Sequence, residues 1–386
     1  MSTTTTYDVA IVGLGAMGSA AAQAMSRRGL RVLGLDRYRP PHTFGSSHGE
    51  SRIIREAYFE RPLYVPLVRQ AYARWREIQA ETGRPLLRVC GGISIGSPQS
   101  EIVTGARASA QVHQVPYEEL SAAELQHRFP AWRVPESMIG IWDPGAGILD
   151  PEACVATTLD LAKAHGAQLL FDEPVLSWES VANGDAIRVR TAQATYSAKQ
   201  LVIAAGGWAR DLLASLDLPL TVERNAVHWF APAAQPESLR PDRFPLFLLD
   251  PVVAPHPGSD RVAYGFPDLG HGVKVAWHHQ GDHTTADDVR RTVDAAEIDE
   301  IRDLLRRFMP DANGSWIKSA VCLYTNTPDL DFLIDRHPAH PQVLIASPCS
   351  GHGFKFAPAI GDILADLAID GRTAFDLTPF RIDRFR

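Results

Sequence analysis

The sequence predicts an α/β protein with a nucleotide-binding unit assembled from discontinuous stretches. A second domain, carrying a mixed or antiparallel sheet, is inserted in two blocks. Three observations predict this. Residues 8–36 read as strand, glycine-rich turn, helix and strand. Strand and helix texture of the same kind returns at 201–208 and at 343–367. The stretch 221–285 between them is proline-rich, aromatic and strand-like, with no clear helix.

The first strand, residues 8–13, is short, β-branched and ended by glycine, the texture of a buried parallel strand. An alanine-rich helix runs from Ala16 to about Arg28 and is closed by Gly29. Arg31–Leu35 is the second strand and completes a βαβ unit. Leu67–Glu81 is an amphipathic helix with Val68, Ala71, Tyr72, Trp75 and Ile78 on one face and Gly83 at its end. Residues 85–100 read as strands. Asp150 caps a helix that has Pro151 in its first turn and runs to His165-Gly166. Strands are expected at 168–171, 186–191, 194–197 and 201–205. A further amphipathic helix, Glu297–Phe308, is stopped by Pro310. Val343–Ala346 is a strand and Ala359–Leu367 the final helix. The expected division is 1–85, 150–220 and 326–386 for the nucleotide-binding domain, against 86–149 and 221–325 for the substrate domain.

Gly13-Leu14-Gly15-Ala16-Met17-Gly18 is G-x-G-x-x-G placed between a strand and a helix. Gly13 permits the tight turn, Gly15 lets backbone approach a pyrophosphate, and Gly18 lets helix and strand pack closely. The helix N-terminus offers N–H groups and partial positive charge to phosphate. Asp36, at the end of the second strand, can accept hydrogen bonds from ribose hydroxyls. The fold is therefore Rossmann-like and the ligand a dinucleotide. The motif alone leaves FAD and NAD both open.

Composition narrows the partners. The 386 residues are 45% hydrophobic, an ordinary globular value, and the net charge is −7. No global basic field exists for nucleic acid or an anionic membrane, and no apolar run approaches the roughly 20 residues of a membrane span. Residues 1–6 lack the basic residue of a secretory signal. Cys90, Cys154, Cys322 and Cys349 are widely spaced, neither a zinc pattern nor a disulfide framework. The expectation is a cytoplasmic protein without metal.

Five further blocks, in order, carry a family resemblance. They are Gly45-Ser46-Ser47-His48-Gly49-Glu50-Ser51-Arg52-Ile53-Ile54-Arg55, Tyr264-Gly265-Phe266-Pro267, Lys274 with His278, Val321-Cys322-Leu323-Tyr324-Thr325, and Ser350-Gly351-His352-Gly353-Phe354-Lys355-Phe356. With them the chain, from Asp8 to about Leu367, resembles the monomeric sarcosine oxidase and N-methyltryptophan oxidase family. These are flavin amine oxidases with a glutathione-reductase-like FAD domain.

The resemblance implies FAD attached through the Cys322 thioether to the flavin 8α-methyl. Cys90, Cys154 and Cys349 keep a structural reading. Arg55 and Lys355 match the cations that clamp the substrate carboxylate, and Arg52 is expected near the flavin ring. Lys274 matches the lysine that activates oxygen. His278 matches an active-site histidine, and Tyr264 and Tyr324 match aromatic positions facing the pocket. The implied cofactor set is Gly13, Gly15, Ala16, Met17, Gly18, Asp36, Arg37, Ser46, Ser47, His48, Arg52, Ala205, Gly206, Trp208, Cys322, Gly351, His352, Gly353, Phe354 and Lys355. Asp36, Arg37, Ser47 and Trp277 are not the commonest family choices, and 225–260 has no clear match.

The implied activity is oxidation of a small secondary (N-methyl) amino acid such as sarcosine, with O2 reduced to H2O2 by a monomeric enzyme. A cyclic or bulky secondary amino acid (pipecolate, proline, N-methyltryptophan) is the nearest alternative. A flavin dehydrogenase using another acceptor, an NAD-dependent dehydrogenase and a non-catalytic flavoprotein stand further off.

Overall fold

The computed structural model describes residues 6–181, 184, 186–252 and 261–385. Its first sheet has eight strands around Thr6–Val12. Val32–Leu35 and Thr195–Ile203 flank that strand in parallel, and Gln168–Leu170 extends the sheet beyond Val32–Leu35. Thr195–Ile203 is long enough to serve two neighbours. Its first half pairs antiparallel with Ile187–Thr191, and its last residues pair parallel with His340–Ser347. Every residue of Val32–Leu35 is buried, as expected of a parallel strand covered on both faces.

On one face lies the helix Ala16–Arg27, crossed by Pro151–Ala164 and Ala357–Ile369. Small residues set that close approach: a Cβ on Gly361 would stand 2.6 Å from the Ala20 carbonyl oxygen. Asp150 caps Pro151–Ala164 by accepting from Ala153 N at 2.8 Å. Gly83, with φ +66, ends Val65–Thr82.

The second sheet has nine strands and is mixed. Thr221–Phe230, Val273–His278, Val262–Phe266 and Leu246–Leu249 run antiparallel in that order. Leu246–Leu249 then pairs in parallel with Gly92–Gly96. Ile139–Asp143 and Glu118–Ser121 complete one edge, and Trp316–Asn326 pairs with Thr221–Phe230 along its whole length. The helix Ala295–Phe308 packs Ile301, Leu304, Leu305 and Phe308 into that sheet's core. Arg52–Ile54 belongs to a small three-stranded sheet with Gly147–Leu149 and Leu87–Val89.

Four elements depart from the sequence reading. Residues 194–197 and 201–205 are not separate strands: Thr195–Ile203 is continuous, and Ala204 and Ala205 lie past its end. Val175–Ser180 is an added edge strand. The helices Glu101–His113 and Ala122–Arg128 were not expected. Glu101–His113 carries Gly105, a poor helix former, because a Cβ there would stand 2.1 Å from the Phe59 carbonyl oxygen. Ala122–Arg128 has a capping box between Ser121 and Glu124 that was readable in the sequence. No helix among the described residues is long and apolar enough to cross a membrane.

Candidate active site

A cavity of about 480 Å³ runs from the glycine-rich turn of the first sheet to the strands of the second. At its nucleotide end Gly13 has φ +88, and a Cβ there would lie 2.5 Å from the Ala204 carbonyl oxygen. A Cβ on Gly18 would lie 1.7 Å from the Gly13 oxygen. Only glycine fits either place. The helix Ala16–Arg27 begins at Gly15, which offers no capping side chain, and Ala16 N donates to Ser47 Oγ at 3.1 Å. Met17 and Ala16 line the same wall.

Asp36 reaches that end of the cavity, its carboxylate accepting from Leu14 N at 2.6 Å and Tyr38 N at 2.9 Å. Burial raises its pKa against those hydrogen bonds. Arg37 lies over the Trp208 ring at 5.0 Å and pairs with Asp287 at 3.1 Å. Asp287, on the far side of the cavity, also accepts from Trp208 Nε1 at 2.8 Å. No motif or spacing points to it. Ala205 and Gly206, the latter with φ +54, complete the crossing.

The middle of the cavity is cationic. Arg52 donates to Ser51 O at 2.8 Å and to Ser46 O at 2.7 Å. Ser46 Oγ in turn donates to Leu323 O at 2.5 Å. Cys322 Sγ lies 3.5 Å from Arg52 Nη2 and 3.7 Å from His48 Nε2. Burial raises the thiol's pKa, but His48 and Arg52 outweigh it and hold the group at about 6. Burial pushes Cys90 and Cys349 up to about 11, so neither is a thiolate at neutral pH.

Lys274 stands one layer behind this wall, 2% exposed. Nζ donates to Gly49 O at 2.7 Å and to Ser51 O and Ser51 Oγ, both at 3.1 Å. Both faces of the strand carrying it are covered, since its neighbours Val273 and Val275 are buried too. Burial, with Arg52 nearby, lowers the lysine to about 7.

At the far end the two candidate carboxylate-binding cations meet. Arg55 lies between the rings of Tyr58 at 4.4 Å and Phe59 at 4.7 Å, and its Nη2 pairs with Glu60 at 2.5 Å. Lys355 Nζ donates to His352 O at 2.5 Å and to the Tyr58 hydroxyl at 3.2 Å. Burial lowers Lys355 to about 7 and His352 to about 4. A neutral His352 with Nε2 toward Leu330 O, at 3.1 Å, carries its proton on Nε2. Tyr58 then donates to His352 Nδ1 at 2.7 Å while accepting from Lys355.

His278 Nδ1 lies 3.3 Å from the Tyr324 hydroxyl, and Tyr264 sits edge-on to the His278 ring at 6.1 Å. Gly351, with φ +75, lets these rings close up: a Cβ would lie 2.7 Å from Tyr324 Cε2 and 2.9 Å from His278 Cε1. Gly353 and Phe354 line the same segment. Tyr58, Phe59 and Glu60 were missed by sequence reasoning. Their proximity to Arg55 in the chain was the only available signal.

The cavity fits a flavin dinucleotide. Gly13 and Gly18 in its glycine cradle cannot accept a Cβ, Asp36 lines the same end, and a low-pKa thiol and Arg52 face the middle. The chain belongs to the FAD dependent oxidoreductase family, whose model matches residues 8–367. It is an FAD-dependent enzyme that oxidises amines. It is 43% identical to a monomeric sarcosine oxidase of Streptomyces avermitilis over 379 residues, 97% of each chain. It is 37% identical to an N-methyl-L-tryptophan oxidase of Salmonella heidelberg over 381 residues, 98% of this chain and 99% of that one. Among solved structures it resembles NikD, an unusual amino acid oxidase essential for nikkomycin biosynthesis. The TM-score is 0.85 at 25% identity, covering 98% of both chains.

Proposed function

We propose that this enzyme oxidises the N-methyl group of a small secondary amino acid, of which sarcosine is the simplest, and reduces O2 to H2O2. The observation that carries this reading is the pair of buried cations at one cavity end. Arg55 and Lys355 are each 5% exposed, and Glu60 is the carboxylate paired with Arg55 there. A substrate carboxylate supplies the missing negative charge, Arg55 as a planar fork and Lys355 as a point charge.

FAD, when bound, supplies the two-electron acceptor for the amine carbon. His278 and Tyr324 orient the amine beside the clamp, and an unprotonated His278 leaves the amine free to shed its proton. Lys274 places a fixed cation behind the Gly49–Ser51 turn, where it lowers the barrier to forming reduced oxygen species. Cys322, largely thiolate at neutral pH, would hold the cofactor covalently. The protein works as a monomer in a reducing cytoplasm, with Cys90, Cys154 and Cys349 as free thiols.

Cyclic or bulky secondary amino acids are the second reading. The N-methyl-L-tryptophan oxidase relatives favour it, as do Phe59 and Leu248 on the cavity wall. One experiment separates the readings: anaerobic bleaching of the bound flavin by a panel of sarcosine, proline, pipecolate and N-methyltryptophan. The reading fails if no secondary amino acid bleaches the flavin.

A further inference from the structure

Two residues behind His278 have no part in the scheme above. In a regular strand His278 and the next residue would point to opposite faces. His279 instead has a left-handed backbone, φ +54. Its ring lies against that of His278, centroids 4.2 Å apart, and 5.2 Å from the ring of Tyr324. A side chain with a Cβ occupies that conformation only where its surroundings hold it.

The holder is Glu223, on the adjacent strand Thr221–Phe230 and 4% exposed. One carboxylate oxygen accepts from His279 Nδ1 at 3.2 Å and from Asn326 Nδ2 at 2.7 Å; the other accepts from Gly281 N at 2.9 Å. Burial raises the Glu223 pKa, but these donors overcome it and keep the group below the usual carboxylate range. Glu223 is therefore a buried anion close to the candidate site, and His279 touches both it and His278.

We propose that Glu223 and His279 form a positioning pair for His278: His279 fixes the orientation of the His278 ring and shields it from the Glu223 carboxylate, so that His278 stays unprotonated. The proposal rests on the reading of His278 as an active-site group. The groups facing His278 agree with it. Beside it on its own segment is His279; Tyr264 comes from the paired strand Val262–Phe266 and Tyr324 from Trp316–Asn326; His352, Lys355 and Arg55 come from the clamp. None of these is an acid. Burial, then His279, His352 and the two clamp cations hold the His278 pKa far below its ordinary value.

The test uses the holoenzyme labelled with 15N-histidine, the His278 signal being assigned by its loss in His278→Asn. His279→Asn keeps a residue that tolerates the left-handed backbone but strands the Glu223 carboxylate. It should raise the pH at which His278 takes up a proton by about one unit. The acid limb of anaerobic flavin reduction should move with it. The double variant Glu223→Gln/His279→Asn removes the stranded charge and should return both readouts most of the way. An unmoved His278 in His279→Asn, or a double variant no nearer to wild type than the single one, overturns the proposal. The NMR titration reads the pair even if no secondary amino acid reduces the enzyme, so failure of the substrate reading shows separately.

Discussion

The thiol of Cys322 gives the sharpest prediction. Held at about 6 by His48 and Arg52, it is about 90% thiolate at pH 7, against about 3% for a free cysteine of pKa about 8.5. That is a roughly 30-fold gain in the reacting form. A lower pKa also weakens the nucleophile: with a Brønsted slope near 0.45, about 2.5 units cost a factor of about 13. The net rate advantage at pH 7 is then only about twofold, so rate alone is a poor test. The pH dependence is a strong one. A depressed thiol pKa means that the thiolate is retained down to about pH 6 and lost tenfold per unit below it. Apoenzyme mixed with FAD should acquire acid-stable flavin at a rate that is flat above about pH 7 and falls below pH 6. In His48→Asn, which removes the contact at 3.7 Å, the break should move upward. The assay is flavin fluorescence of acid-precipitated protein against time, with Cys322→Ser as the blank. A rate independent of pH between 5 and 8, or a break unmoved in His48→Asn, refutes the electrostatic account.

The other predictions can be read with ordinary assays. Lys274→Met should slow reoxidation by O2 far more than anaerobic reduction. It should also raise thermal stability, because a lysine lowered from 10.5 to about 7 costs on the order of 5 kcal/mol while charged. That cost lies below pH 7 and fades as pH rises toward 10, so the gain in Tm should shrink on the alkaline side; equal slowing of both half-reactions would count against the oxygen role. Arg55→Gln should raise KM for the amino acid by about 10–100-fold, the worth of a charge-assisted pair. Lys355 loses its proton as pH climbs through about 7, so KM for a carboxylate substrate should rise across that range. The break should vanish in Lys355→Met, and a KM flat in wild type would contradict the clamp. Gly13→Ala should abolish cofactor retention, since its Cβ would meet the Ala204 oxygen at 2.5 Å; a yellow purified variant would refute the close approach.

The nucleotide cradle was legible because its chemistry is local. Gly13, Gly18 and Asp36 lie within one βαβ unit, and each has a backbone reason to be what it is. Arg55, Lys274, Cys322 and Lys355 could be singled out only through resemblance, since nothing in their own neighbourhoods says that they meet. Lys274 shows why. Alternation could not tell a solvent-facing lysine from a buried one, because what covers its face is the Gly49–Ser51 turn, which comes from a distant part of the chain. Glu60, Tyr58, Glu223 and His279 were invisible for a related reason: each acts through contacts with residues that a linear pattern does not weigh. The two missed helices differ from each other. Ala122–Arg128 announced itself through its capping box, whereas Gly105 disguised Glu101–His113 for the sake of a tertiary contact.

The balance of charge in the cavity explains why one site can be both stable and receptive. The protein as a whole carries net charge −7, yet Arg52, Arg55, Lys274 and Lys355 converge inside it. Glu60 pairs with Arg55, while both lysines donate only to neutral oxygen atoms. Buried cations without acids are costly, and the two lysines relieve that cost by moving their pKa values to about 7. An arriving carboxylate reverses this, since an anion beside Lys355 favours its charged form. Binding should therefore draw protons from solution, most strongly near pH 7 to 8. Titrating the holoenzyme with an unreactive small carboxylate in two buffers of different ionisation enthalpy would measure that uptake. Lys355→Met should abolish it, because the proton resides on Nζ. Uptake that persists in Lys355→Met would assign the proton to another group and break the link between the lysine's burial and its role in binding.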